Sequence, residues 1–167
     1  TSLKPAPLEM LSRVERQLMW PGKALPEGFR PPPPPLTGED KIRFAKGKEL
    51  YNTICVACHQ ANGAGLPGLA PTLAGSEWVN GPADRAIRII LQGLTGPIEV
   101  AGTSWQMEMP AVTLFNDEQV ADILTYIRRD WDNDGTVVKA ADVEKVRAQH
   151  AGRTTAWTSA ELLQASK

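Results

Sequence analysis

At 167 residues, 42% of them apolar and 22% charged, the chain suits one principal domain with appendages or two small units. Its 18 basic and 19 acidic residues leave no whole-chain field to draw in nucleic acid or an anionic membrane, so any partner surface must be local. No apolar run approaches the ~20 residues that span a bilayer, and an opening at Thr1 without a signal peptide predicts a mature product or an excised piece.

Residues 7–19, PLEMLSRVERQLM, place Leu8, Leu11, Val14 and Leu18 on one helical face. The stretch WPGKALPEGFRPPPPPLTG then excludes regular structure. Its consecutive prolines, Pro31 to Pro35, have fixed φ and no backbone donor, and predict a polyproline II segment, either a free spacer or a strap on the domain surface. From Thr37 the helical signals strengthen. Gly47, Leu50, Tyr51 and Ile54 recur at i, i+3, i+4 and i+7 and predict an amphipathic helix over about 39–55. A second helix begins at Pro82, a favoured first position, with Ile87, Ile90, Leu91 and Leu94 as its apolar face. Asn116 and Gln119 predict a capping box, and the stripe of Val120, Ile123, Leu124 and Ile127 behind it ends near Trp131. Two weaker helices close the chain, at about 140–150 and behind Thr158, which has Glu161 three residues on. The strand signal is confined to a hairpin in IEVAGTSW, turning at Ala101-Gly102. The expected division is 1–36, a helix and proline-rich linker; 37–132, the central domain; and 133–167, a C-terminal helical extension.

Glycine- and proline-rich loops at 60–81 and 93–115 separate the helices. Compact domains rarely carry such loops unless they have a job or a large ligand to wrap. The segment ICVACHQ, residues 54–60, holds both cysteines of the chain and one of its two histidines. A redox pair fits poorly without a surrounding βαβ pattern, and zinc fits poorly because no further cysteine exists and His150 lies far downstream. Cys-x-x-Cys followed at once by histidine selects covalent haem attachment. On a helical turn, positions i and i+3 sit side by side, so the sulfurs of Cys55 and Cys58 reach two vinyl groups along one haem edge. His59 then supplies the proximal iron ligand. For the sixth position, WQMEMPAV offers Met107 and Met109. Pro110 restricts Met109 to an extended backbone and makes it the preferred ligand, with Met107 as packing or the alternative. His150, beside Val143 and Val146, reads as an ordinary partly buried histidine.

GKELYNTICVACHQANGAGLPGLAPTLAG, MPAV and NDEQVADILTYIRR together resemble a class I cytochrome c domain over about 40–131. The resemblance implies an all-α fold around one covalent haem c, in which the first and last helices of the domain cross at Gly47 and Tyr51 against Leu124 and Tyr126. It also implies a hydrogen bond from His59 to the Pro71 carbonyl, and a tryptophan, Trp78 or Trp105, on a haem propionate. The cofactor-binding set is then Cys55, Cys58, His59, Met109, Pro71, Trp105 and Tyr51, with His59 and Met109 on the iron. LMWPGK, GSEWVNGP, LQGLTGPIEV and TTAWTSAELL are similar to the C-terminal haem-binding domain of large exported bacterial proteins.

The expectation is therefore an electron carrier between a dehydrogenase, fused or separate, and a downstream acceptor, not itself an enzyme and resident in the periplasm. Uncharged segments at Val56, Ala57, 63–68 and 111–113 suggest a small apolar docking ring, or simply haem lining. Two other readings stand beside it: an open sixth position would make a gas sensor or a peroxidase-like protein, and haem could be purely structural in an interaction domain. Three helices in so short a domain make a marginal core, so the apoprotein is expected to be largely unfolded.

Overall fold

The computed structural model describes residues 33–164, so the helix expected over 7–19 lies outside the described residues. Helix α1 spans Glu39–Ile54, opened by Gly38 and with Glu39 and Asp40 in a first turn that favours acidic side chains. A short turn of helix, α2, Val56–His59, follows directly, because Cys55 between them keeps right-handed helical backbone angles. After a loop come α3, Glu77–Asn80, and α4, Ala83–Gln92. The hairpin β1, Pro97–Val100, and β2, Thr103–Gln106, leads to α5, Asp117–Arg129, then α6, Ala140–Gln149, and α7, Ser159–Gln164.

The centre is α5. Every residue from Val120 to Arg128 is buried, so this helix is packed on all sides rather than on one stripe. The expected capping box starts it: the Asn116 side chain accepts from the Gln119 N–H at 2.9 Å, and Gln119 returns the bond at 3.0 Å. Its buried polar side chains are all partnered. Arg43 on α1 holds Asp122 at 2.7 Å, the Thr125 hydroxyl donates to the Val138 carbonyl at 3.2 Å, and Arg128 reaches the carbonyls of Val79, Gly81 and Thr136.

The crossing of α1 on α5 differs from the expectation in one partner. A Cβ built on Gly47 would lie 2.9 Å from the Tyr126 Cβ and within covalent-scale distance of the Asp122 backbone carbonyl, so glycine meets Asp122 and Tyr126, not Leu124. Tyr51 and Tyr126 do meet, their ring centroids 5.3 Å apart, and Phe44 and Trp131 complete an aromatic knot on that side. The face of α1 that packs is thus Phe44, Gly47, Leu50 and Tyr51, while Ile54 remains 36% exposed.

Two further differences come from local breakers. Leu94 falls outside α4, because Gly93 at φ 83° ends that helix two residues before it can be included. The 60–81 segment, read as loop throughout, contains α3, whose first turn is capped by the Ser76 hydroxyl accepting from the Trp78 N–H. The hairpin forms with Ala101 and Gly102 both at positive φ in its turn. Ile98 and Val100 alternate inward from it.

The segment after Trp131 packs onto the same body. Val138, Val143 and Val146 join the core around α5, and Trp157 and Leu162 join a second cluster with Trp78, Leu94, Ile98 and Val100. The capping residues expected at Thr158 and Glu161 exchange hydrogen bonds at 2.8 and 3.3 Å at the head of α7. The end of the proline run is fastened as well: Arg129 donates to the Pro34 carbonyl at 2.7 Å.

Candidate functional site

Between α5, α4, the 60–81 segment and the hairpin lies an apolar cavity of about 1400 Å³ with its open mouth included. Cys55, Cys58, His59 and Pro71 line it, as do Met107, Met109 and Pro110. Ile90, Leu94, Ile98, Ile123, Leu124 and Ile127 form much of the floor.

The cysteine motif is built by local helical geometry. The N–H groups of Cys58 and His59 both bond the Cys55 carbonyl, at 3.2 and 2.9 Å, which winds one turn and sets the two thiols on the same rim. Neither is in a disulfide. Burial pushes the Cys55 thiol up to about 11, so at neutral pH it is a protonated thiol and not a metal-ready thiolate. Desolvation lowers the pKa of His59, favouring the neutral ring that a metal needs, and the Pro71 carbonyl partly opposes this. That carbonyl lies 3.4 Å from Nδ1, and a carbonyl only accepts, so Nδ1 carries the proton and Nε2 keeps its lone pair.

Pro71 is held in place from behind. Gly65, at φ 73°, donates its N–H to the His59 carbonyl at 3.1 Å. A Cβ on Gly65 would lie 2.5 Å from the Pro71 oxygen, so only glycine lets this loop close against the histidine's acceptor. Asn133 fixes the far end of the loop with all of its amide's capacity: it donates to Leu73 and Ile127 and accepts from Gly75 and Asn80, at 2.7–3.1 Å. Sequence reading missed Asn133, which carries no motif.

The two methionines that line the cavity are not equivalent. Met109 packs against both hydrophobic clusters, and its backbone exchanges two 2.9 Å hydrogen bonds with Leu94. Met107 lines the cavity without belonging to either cluster.

The tryptophans separate in the same way. Trp78 lines the cavity, but its Nε1–H is already donated to the Glu99 carbonyl at 2.7 Å. Trp105 packs against the second cluster, opposite Ile98 in the hairpin, with a buried Nε1–H that has no protein partner. A buried indole N–H without an acceptor is costly unless a ligand supplies one, but Trp105 is not among the residues that line the cavity. Tyr51 is not among the lining residues. It lies behind the motif, its hydroxyl donating 2.6 Å to the carbonyl of Gln60, the residue after His59. In this position Tyr51 supports the motif's backbone.

The donor set fits a covalently held haem: paired thiols one helical turn apart, a neutral imidazole with a free nitrogen and a thioether, all lining one apolar cavity. Among the described residues no group of three or more histidine, cysteine or carboxylate side chains is placed to hold a metal ion, and no helix is long and apolar enough to cross a membrane.

Residues 44–131 match the family model described as Cytochrome c. The chain is 36% identical over 124 residues to cytochrome c-552 of Thermus thermophilus, covering 68% of this chain and 82% of that protein. It is 37% identical over 108 residues to the gluconate 2-dehydrogenase cytochrome c subunit of Pantoea cypripedii, 60% of this chain but 24% of that one. It is 30% identical over 114 residues to the cytochrome c subunit of alcohol dehydrogenase (quinone) from Gluconobacter oxydans, covering 66% and 23% respectively. The chain thus spans about a quarter of the length of those dehydrogenase subunits.

Proposed function

The chain belongs to the cytochrome c family and is an electron-transfer domain, and we propose that it is a mono-haem carrier whose iron is ligated by His59 and Met109. Covalent haem c, the family's cofactor, supplies a one-electron ferric/ferrous couple when bound. Cys55 and Cys58 would anchor it by thioethers along one edge. His59, oriented through Nδ1 by Pro71, would offer Nε2 to the iron, and Met109 its sulfur. The apolar lining would limit solvent access and lower the local dielectric, which tunes the potential of the bound group.

The observation that supports this reading is that Cys55, Cys58, His59 and Met109 all line one apolar cavity. Met109 is favoured over Met107 because its backbone is paired to Leu94 and its side chain is packed on both clusters. A thioether opposite an imidazole raises the potential and closes the iron to exogenous ligands, which favours a carrier over a gas sensor or peroxidase. The donor is proposed to be a dehydrogenase, on the likeness to cytochrome subunits of dehydrogenases. Residence is proposed to be the periplasm, since haem of this family is joined to thiols outside the cytoplasm.

Optical spectra of the holoprotein test the ligand set. Met109→Ala is expected to abolish the weak far-red sulfur-to-iron band and to open the ferrous protein to carbon monoxide, while Met107→Ala keeps the band and resists uptake. The opposite pattern reassigns the ligand, and rapid uptake by the unaltered protein sinks the carrier reading.

A further inference from the structure

Leu94 is the middle of a three-segment ladder. One edge exchanges N–H···O bonds of 2.9 Å in both directions with Met109. The other edge is held by residues beyond the matched family domain: the Thr95 N–H donates to the Trp157 carbonyl at 2.8 Å, and the Trp157 N–H to the Gly93 carbonyl at 3.0 Å. A strand this short has no helical or sheet register of its own, so its position is set by what flanks it.

Trp157 is a strong flank. It is 6% exposed, its Nε1–H donates 3.2 Å to Gln92 at the end of α4, the Arg153 guanidinium lies 3.6 Å from its ring centroid, and His150 stands edge-on at 5.0 Å. Just beyond it, the Ser159 hydroxyl bonds the Pro97 carbonyl at 2.7 Å and Leu162 is fully buried against Leu94, Ile98 and Val100. The C-terminal segment is thereby tied to α4 and the hairpin at once. Met109 itself has only two further anchors nearby, the packing of its side chain and the Val112 N–H on the Ile90 carbonyl at 2.8 Å.

We propose that Trp157 is a positioning residue for the sixth ligand: it clamps Gly93, Leu94 and Thr95 so that Leu94 presents Met109 at a fixed depth in the cavity. This rests on the Met109 ligation proposed above. A clamp of this kind removes alternative loop conformations before the thioether binds, which strengthens ligation without touching the iron.

The test compares Trp157→Ala with Val143→Ala, a truncation of a fully buried α6 side chain outside the second cluster. In Trp157→Ala holoprotein the far-red band is expected to weaken, and carbon monoxide uptake by the ferrous form to quicken about tenfold, the scale of losing one or two net hydrogen bonds. Val143→Ala is expected to melt earlier yet keep the band and the slow uptake. A folded Trp157→Ala protein with unaltered band and uptake overturns the proposal, provided Met109→Ala abolishes the band; a band that survives Met109→Ala overturns the ligand assignment beneath it. Hydrogen exchange in the unaltered holoprotein decides the matter even where Trp157→Ala does not fold. The Leu94, Thr95, Met109 and Trp157 amides should open together, and free exchange at Thr95 and Trp157 with protection retained at Leu94 and Met109 overturns the clamp.

Discussion

Replacing Gly47 by alanine should destabilise the protein, against the ordinary sign of that change. In an exposed helix interior, Gly→Ala gains about 1 kcal/mol from propensity. Here the new methyl would lie 2.5 Å from the Asp122 carbonyl carbon and 2.9 Å from the Tyr126 Cβ, both well inside van der Waals contact. Neither is the free end of a flexible side chain, so α1 and α5 must separate. Overpacking of this kind costs roughly 1–3 kcal/mol, and parting the helices also loosens the Tyr51–Tyr126 and Phe44–Tyr126 ring pairs, each worth about 0.5–1.5 kcal/mol. The net expectation is a loss of roughly 1–3 kcal/mol. Thermal unfolding of the holoprotein reads it, with Asn52→Ala on the exposed side of the same helix as control; that variant should gain a few tenths of a kcal/mol from propensity alone. A Gly47→Ala protein as stable as the unaltered one refutes the close crossing.

Arg128→Leu should cost about 1–3 kcal/mol, since it strands the buried carbonyl of Val79 and takes the guanidinium from the part-buried carbonyls of Gly81 and Thr136; denaturant unfolding that finds it as stable as the unaltered protein would show that water replaces the guanidinium. His150 has its pKa lowered by desolvation and by the charges of Arg88 and Arg153. The folded state therefore binds fewer protons at this site than the unfolded chain, whose histidine titrates near 6.5, and the site's stability is complete above that value and lost as pH falls below it. Melting temperature should drop more steeply between neutral and mildly acid pH in the unaltered protein than in His150→Gln, and identical slopes would dismiss the effect.

What the sequence discloses, and what it hides, divides by range of interaction. Cys55, Cys58 and His59 were legible because one helical turn creates their geometry, and the Asn116–Gln119 and Thr158–Glu161 caps because each is a bond between residues three apart. The stripe of α5 was legible as apolar, but not which neighbour each member meets. Leu124 faces the cavity, while the glycine of α1 comes down on the backbone of Asp122, because close helix crossing selects for an accessible carbonyl rather than for a large side chain. Tyr51 shows the same limit: periodicity places it on the packed face but cannot say that its hydroxyl turns to the Gln60 carbonyl.

Asn133 and Arg128 stayed hidden because their partners are backbone carbonyls that become neighbours only after folding, so each reads in one dimension as an ordinary surface polar residue. The same holds for the ladder of Trp157, Leu94 and Met109, whose members lie in three separate segments. Together these side chains explain how two long segments poor in regular structure can line a cavity with precision. Gly65 closes one segment on Pro71, Asn133 ties it to the end of α5, and Leu94 carries Met109 between α4 and the C-terminal segment. Rigidity in the lining therefore comes from non-local hydrogen bonds to backbone, which leaves side chains such as His59 and Met109 free to face inward.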